Sequence, residues 1–133
     1  MKYVFDADMG SLPAIMEAAE QSAKECGCTQ KQTMDILLAV EELAVNIINY
    51  AYCSSGGSIE MTLHKDNGKI ILNLSDSGQE FNPLETEKPN ITSSLDEREF
   101  GGLGIYLVKQ TVQSLEYQRK DDKNIVTASF LCG

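Results

Sequence analysis

Basic residues are scarce in this chain, with 11 lysines and arginines against 20 aspartates and glutamates and a formal net charge of −9. That balance argues against a general binder of nucleic acid or of anionic membranes, although a local basic pocket stays open. Long apolar runs are missing, and none approaches the roughly 20 residues that a membrane span needs. The start, MKYVFDADMG, lacks the pattern of a signal peptide, so the expected location is the cytoplasm. Histidine occurs once, as His64 in an alternating segment, and reads as an ordinary surface residue rather than a ligand. The four cysteines, Cys26, Cys28, Cys53 and Cys132, are scattered, and Cys26-x-Cys28 alone is at best half a metal site. They read as thiols in a reducing compartment. There is no G-x-x-x-x-G-K-[ST], and no G-x-G-x-x-G after a strand, so neither a P-loop nor a dinucleotide fold is supported. Internal repeats and low-complexity tracts are absent as well.

What is present is an ordinary globular composition, 42% hydrophobic and 23% charged over 133 residues, which predicts one domain over 1–133 with a real core. Its organising stretch is Asp35 to Tyr52, DILLAVEELAVNIINYAY. Ile36, Val40, Leu43 and Ile47 recur at the helical period, and Leu38, Val45 and Ile48 extend the apolar cover. A helix apolar on most sides is a core helix. Glu42, Asn46 and Asn49 interrupt it, and their spacing places them on one face. Burying such groups uncompensated is costly. The stripe therefore meets protein partners, lines a cavity for a polar ligand, or forms a polar edge in solvent.

The remaining elements follow from local signals. Tyr3 to Phe5 predicts a short edge strand. Ser11 is the expected N-cap of a first helix, with Pro13 in its first turn and Gly27 as its stop. Thr29 and Gln32 have capping-box spacing at the start of the central helix. Ile59, Met61 and Leu63 alternate with polar residues, Asp66-Asn67-Gly68 signals a hairpin, and Ile70, Leu72 and Leu74 continue the inward face. That strand runs into Asp76-Ser77-Gly78-Gln79-Glu80-Phe81-Asn82-Pro83. From Leu84 to Phe100 the chain is polar and aperiodic, as in a lid, a binding loop or a disordered segment. Gly101-Gly102-Leu103-Gly104 then opens a third helix, and strands from Leu115 to Arg119 and from Ile125 to Leu131 close the chain. The order β-α-α-β-β-loop-α-β-β predicts an α+β fold. We expect a two-layer sandwich of a mixed, largely antiparallel sheet covered on one face by three helices.

A glycine-rich loop leading into a helix presents unpaired backbone N–H groups and the positive end of the helix dipole, which suits phosphates. Taken alone, GGLG is a weak signal that reads more readily as a flexible hinge and a close helix-to-sheet contact. Together, three stretches resemble a known family. Glu42 to Tyr52 resembles the N box, Asp76 to Pro83 the G1 box, and Gly101 to Val108 the G2 box of the GHKL superfamily of ATPases and kinases. Their order and spacing agree over nearly the whole chain. The small single-domain size and the D-x-G-x-x-F-N-P form of the G1 box are similar to the bacterial anti-sigma-factor serine/threonine kinases.

The resemblance implies a Bergerat-type site for ATP and Mg²⁺. Asn46 is implied as the Mg²⁺ ligand and Glu42 as the general base toward a serine hydroxyl. Asp76 is implied to accept from the adenine amino group, and Gly78 to let the base come close. Gly101, Gly102 and Gly104 are implied to cradle phosphates under a lid at 84–100, with Thr127 contributing a hydroxyl near adenine. Asn49 is either a ligand contact or a cap of a local backbone group. The sequence departs from the family at Glu80, where many members have a second glycine. It departs again at Phe100, where some kinases of this branch place an arginine; Arg98 is the candidate to reach instead. The implied function is an anti-sigma-factor kinase. Its expected partners are a STAS-type antagonist that it phosphorylates, a sigma factor of RNA polymerase, and a second copy of itself. One alternative is a nucleotide-binding partner-switching module without turnover. Another, a sensor histidine kinase fragment, is disfavoured because His64 is the only histidine.

Overall fold

A computed structural model describes residues 2–53, 56–85 and 102–131. Strand β1 (Lys2–Asp6) leads through a 3-10 turn (Met9–Ser11) into helix α1 (Leu12–Glu25) and then helix α2 (Gln30–Asn46), which continues as a π-helical turn (Ile47–Ala51). Strands β2 (Ser58–Asp66) and β3 (Lys69–Asp76) form a hairpin. Helix α3 (Gly102–Thr111) precedes the closing hairpin of β4 (Ser114–Lys120) and β5 (Lys123–Leu131). The expected order of elements is reproduced.

Among the described residues five strands lie in the order β1-β2-β3-β5-β4, and every pairing is antiparallel. The sheet is thus not mixed, for a topological reason. β3 and β4 run in the same direction, but β5 folds back between them and separates the two strands that would pair in parallel.

Alternation decides which residues are covered. Ile59, Met61 and Leu63 on β2, Ile70, Leu72 and Leu74 on β3, and Val126, Ala128 and Phe130 on β5 are buried. They meet Ile15 and Ala19 of α1, Ile36, Val40 and Leu43 of α2, and Ile105 and Val108 of α3 in one core. The three helices thus cover one face of the sheet.

Local signals hold at most boundaries. Thr29 Oγ1 accepts from Gln32 N at 3.1 Å while Gln32 Oε1 accepts from Thr29 N at 2.7 Å, the reciprocal capping box. The β2–β3 turn carries Asn67 at φ 51° and Gly68 at φ 76°, the left-handed pair that a two-residue hairpin requires. Ser11 is not the side-chain cap. Its side chain caps nothing; Asp8 Oδ1 instead accepts from Ser11 N at 2.9 Å, one turn earlier, because a 3-10 turn precedes α1. Among the described residues no helix is long and apolar enough to cross a membrane.

Candidate active site on the second helix

The polar stripe of α2 is where two distant segments converge. Glu42 is half-buried, and its neighbour Glu41 is exposed. A Cβ built on Gly104 would overlap the Glu42 carboxylate, so that carboxylate occupies the space left by a missing side chain in the first turn of α3. Burial, and next the charge of Glu41, push the Glu42 pKa above the ordinary carboxylate range. Nine residues further along, a Cβ on Gly78 would lie 2.5 Å from the carbonyl oxygen of Ala51. Nine residues of helix span roughly 13 Å, so the loop after β3 and the start of α3 bracket a short length of one helix.

Asn46 lies between these two approaches. It is 3% exposed, and its Nδ2 is buried with no hydrogen-bond partner among the described residues. Buried polar atoms are nearly always paired, and leaving one unmet costs about 1–3 kcal/mol. Asn49 differs from it. It is only half-buried and belongs to the π turn, closed by Tyr52 N donating to Ile47 O at 3.0 Å. A wider turn advances through a smaller angle per residue, so Asn49 sits further round the helix from Asn46 than an α-period places it.

The π turn also turns its carbonyls toward the loop. Gln79 N donates to Ala51 O at 2.8 Å, Gln79 Nε2 donates to Tyr50 O at 2.8 Å, and the Tyr50 and Phe81 rings stack at 5.1 Å. Tyr52 Oη donates to Ser58 O and accepts from Ser77 N, both at 2.8 Å. The segment Ser77 to Phe81 is therefore clamped to the end of α2.

Asp76 ends the buried register of β3 and is 4% exposed. Its Oδ1 accepts from Gly78 N at 2.9 Å and from Asn124 Nδ2 at 2.8 Å, while Oδ2 accepts from neither. Burial raises its pKa, opposed by the Asn124 and Gly78 hydrogen bonds and by the charge of Arg119. Arg119 Nη1 donates to Gly78 O at 2.9 Å and holds the loop from the β4 side. On α3, Lys109 Nζ donates to Leu84 O at 3.0 Å, tying the helix to the 3-10 turn Pro83–Glu85 where the expected lid begins.

Most of the anticipated residues are thus gathered: Glu42, Asn46, Asp76, Gly78 and Gly104. Gly102 is the first residue of α3. Gly101, Arg98, Phe100 and lid residues 86–100 lie outside the described residues. Thr127 is not brought in. It shares the opposite sheet face with Asn73, whose Nδ2 donates to its Oγ1 at 3.0 Å. Asn124 holds the position beside Asp76, as its direct cross-strand partner. Sequence reasoning missed it by starting the last strand at Ile125. Counting back by twos from Phe130 through Ala128 and Val126 lands on Asn124, a polar residue in a buried register.

Against this geometry, the profile described as the histidine kinase-like ATPase domain matches residues 5–130. The chain belongs to the histidine kinase-like ATPase domain family. The match spans every site element described above, and the family name implies ATP as the nucleotide. Relatives of this histidine kinase-like ATPase domain include the serine/threonine-protein kinase BtrW of Bordetella bronchiseptica. BtrW is 29% identical over 93 residues, covering 69% of this chain and 66% of that protein. The serine-protein kinase RsbW of Halalkalibacterium halodurans is 27% identical over 115 residues, 80% of this chain and 66% of the relative. The chain therefore spans just under two thirds of the length of these relatives. A solved structure of the RsbU and RsbW domains of a Mycobacterium tuberculosis protein superposes with a TM-score of 0.64 at 13% identity. It covers 98% of this chain and 31% of that one, a likeness of fold.

Proposed function

We propose that this chain is an ATP-dependent serine/threonine protein kinase that acts as an anti-sigma factor, its domain spanning 1–133. The observation that carries the nucleotide site is the unpartnered, buried Nδ2 of Asn46 on the helix face bracketed by Gly78 and Gly104. A phosphate oxygen could accept from that nitrogen. Turning the amide over would instead offer Oδ1 to a cation. Mg²⁺ takes hard oxygen ligands and draws few of them from protein, so one asparagine oxygen is enough and Asn46 would hold it. When bound, ATP and Mg²⁺ supply the transferable phosphoryl group and the neutralisation of its charge.

The chain's own residues do the rest. Asp76 would accept from the adenine amino group through Oδ2, and Gly78, whose missing side chain lets the loop close on the Ala51 carbonyl, would keep that loop low enough for the base to approach. Gly102 and Gly104, at the positive pole of α3, would receive the phosphates, together with Gly101 on the resemblance. Residues 84–100 serve as the lid, and Asn49 makes an outer contact. Glu42, whose burial favours proton uptake, removes the proton of an incoming serine hydroxyl. The kinase names of BtrW and RsbW support phosphoryl transfer to protein. On the resemblance to anti-sigma-factor kinases, the acceptor is a serine or threonine of a STAS-type antagonist and the competing partner a sigma factor.

Calorimetric titration of ATP with and without Mg²⁺, followed by phosphate transfer to a STAS-type protein, tests this. Mg²⁺-dependent binding with transfer that Glu42→Gln abolishes is expected. Binding without any transfer would move the reading to a nucleotide-dependent partner switch. No binding at millimolar ATP by the folded protein would overturn both.

A further inference from the structure

Asn124 is 2% exposed and makes four hydrogen bonds with its one amide. Nδ2 donates to Asp76 Oδ1 and to Gln79 O, each at 2.8 Å. Oδ1 accepts from Phe81 N at 3.1 Å and from Tyr117 Oη at 2.6 Å. The orientation of this amide is not free. Turned over, it would set its NH₂ against the Phe81 N–H and its oxygen against a carboxylate and a carbonyl, turning three of the four bonds into repulsions, with only the Tyr117 hydroxyl able to reverse its role. Two donors on Oδ1, from Asn124 and Gly78, fix the rotation of the Asp76 carboxylate. The same amide reaches the loop at Gln79 and Phe81, so the carboxylate and the loop are set by one group.

We propose that Asn124 is a positioning residue that holds Asp76 Oδ2 toward the base site and locks the 76–81 loop, and so determines the preference for adenine. This rests on the nucleotide site proposed above. An outward carboxylate oxygen accepts from the amino group of adenine and repels the carbonyl that guanine carries at the same position. A carboxylate free to rotate loses that discrimination.

The discriminating variant is Asn124→Asp, which keeps the shape and the acceptor oxygen but replaces the donor facing Asp76 by an oxygen. At pH 8 two carboxylates then oppose each other. At pH 5.5 a shared proton restores the donor. The other charged and titratable groups around the pair are Arg119 and Tyr117 on β4, Glu80 in the loop, and Glu60 and Lys123 at the rim. All are common to both proteins, so their own titration enters both Kd values, and the opposed pair at positions 76 and 124 is what the variant adds.

The experiment is titration of ATP and GTP into wild type, Asn124→Asp and Tyr117→Phe at both pH values, with folding checked by circular dichroism. Asn124→Asp should bind ATP at least about tenfold more weakly than wild type at pH 8, with a reduced ATP-to-GTP preference. Most of that deficit should vanish at pH 5.5, a recovery that a merely structural role would not produce. Folded Asn124→Asp with wild-type affinity and a ratio independent of pH would overturn the assignment. If that variant does not fold, Tyr117→Phe decides. It removes one donor to Asn124 and should weaken ATP about threefold to tenfold with a lowered base preference, whereas no change overturns the assignment. Wild type that binds no ATP sinks the nucleotide site and this role together. Wild-type binding with indifferent variants removes this role alone.

Discussion

Asp76→Asn separates the cost of burying a carboxylate from its use. The substitution is isosteric, and its Oδ1 can keep both hydrogen bonds, from Gly78 N at 2.9 Å and Asn124 Nδ2 at 2.8 Å. Only Oδ2 changes, from a charged acceptor to an NH₂ donor. Toward adenine this removes one charge-assisted hydrogen bond, about 1.5–3 kcal/mol, and ATP affinity should fall about tenfold to 150-fold. Toward folding the sign is opposite. Burial raises the Asp76 pKa, so this group's contribution to stability is fully present below the ordinary aspartate range and is lost as pH rises through the raised value. The variant has no such loss. It should equal or exceed wild type in stability at neutral pH, and the gap should close in acid. Calorimetric titration measures the first effect, and urea denaturation at pH 7 and pH 3.5 the second. Equal ATP affinity in the two proteins would refute the base contact. A variant less stable than wild type at pH 7 would refute the desolvation account.

Three further outcomes are expected. Gly104→Ala meets the movable end of Glu42 rather than backbone, so stability should change by less than about 1 kcal/mol while phosphoryl transfer drops tenfold or more; a kinase assay beside thermal denaturation checks both. Gly78→Ala meets the Ala51 carbonyl instead, which cannot swing aside, and should cost about 1–3 kcal/mol in urea denaturation as well as ATP binding. Asn46→Leu removes an unpaired buried amide and should stabilise the nucleotide-free protein by about 1–3 kcal/mol while abolishing Mg²⁺-dependent ATP binding. Asn49→Ala should do neither, and equal effects of the two on Mg²⁺-dependent titration would sink the Asn46 assignment.

Much of the site was legible because each of its pieces is local. Glu42 and Asn46 are one helical turn apart, so the α-period alone puts them on one face. Gly78 and Gly104 stand in short motifs whose glycines mark close approach. Asn49 was placed less well, since a π turn depends on how its carbonyls are met by Gln79, 29 residues from Tyr50 in sequence. Thr127 was misread because a single residue of register moves a side chain to the other face of the sheet. With Val126 and Ala128 buried, Thr127 had to point to the far side.

The sequence by itself determined the order of elements, the capping box at Thr29, the hairpin at Asn67-Gly68 and the amphipathic faces that make one core. Those depend on periodicity and on contacts within a few residues. Only the tertiary structure decided that β5 is inserted between β3 and β4, making every pairing antiparallel. It alone placed Asn124 against Asp76, 48 residues earlier in the chain, and seated Gly104 on Glu42. Such pairings arise from strand register and helix packing between segments far apart in the chain, which no local window contains.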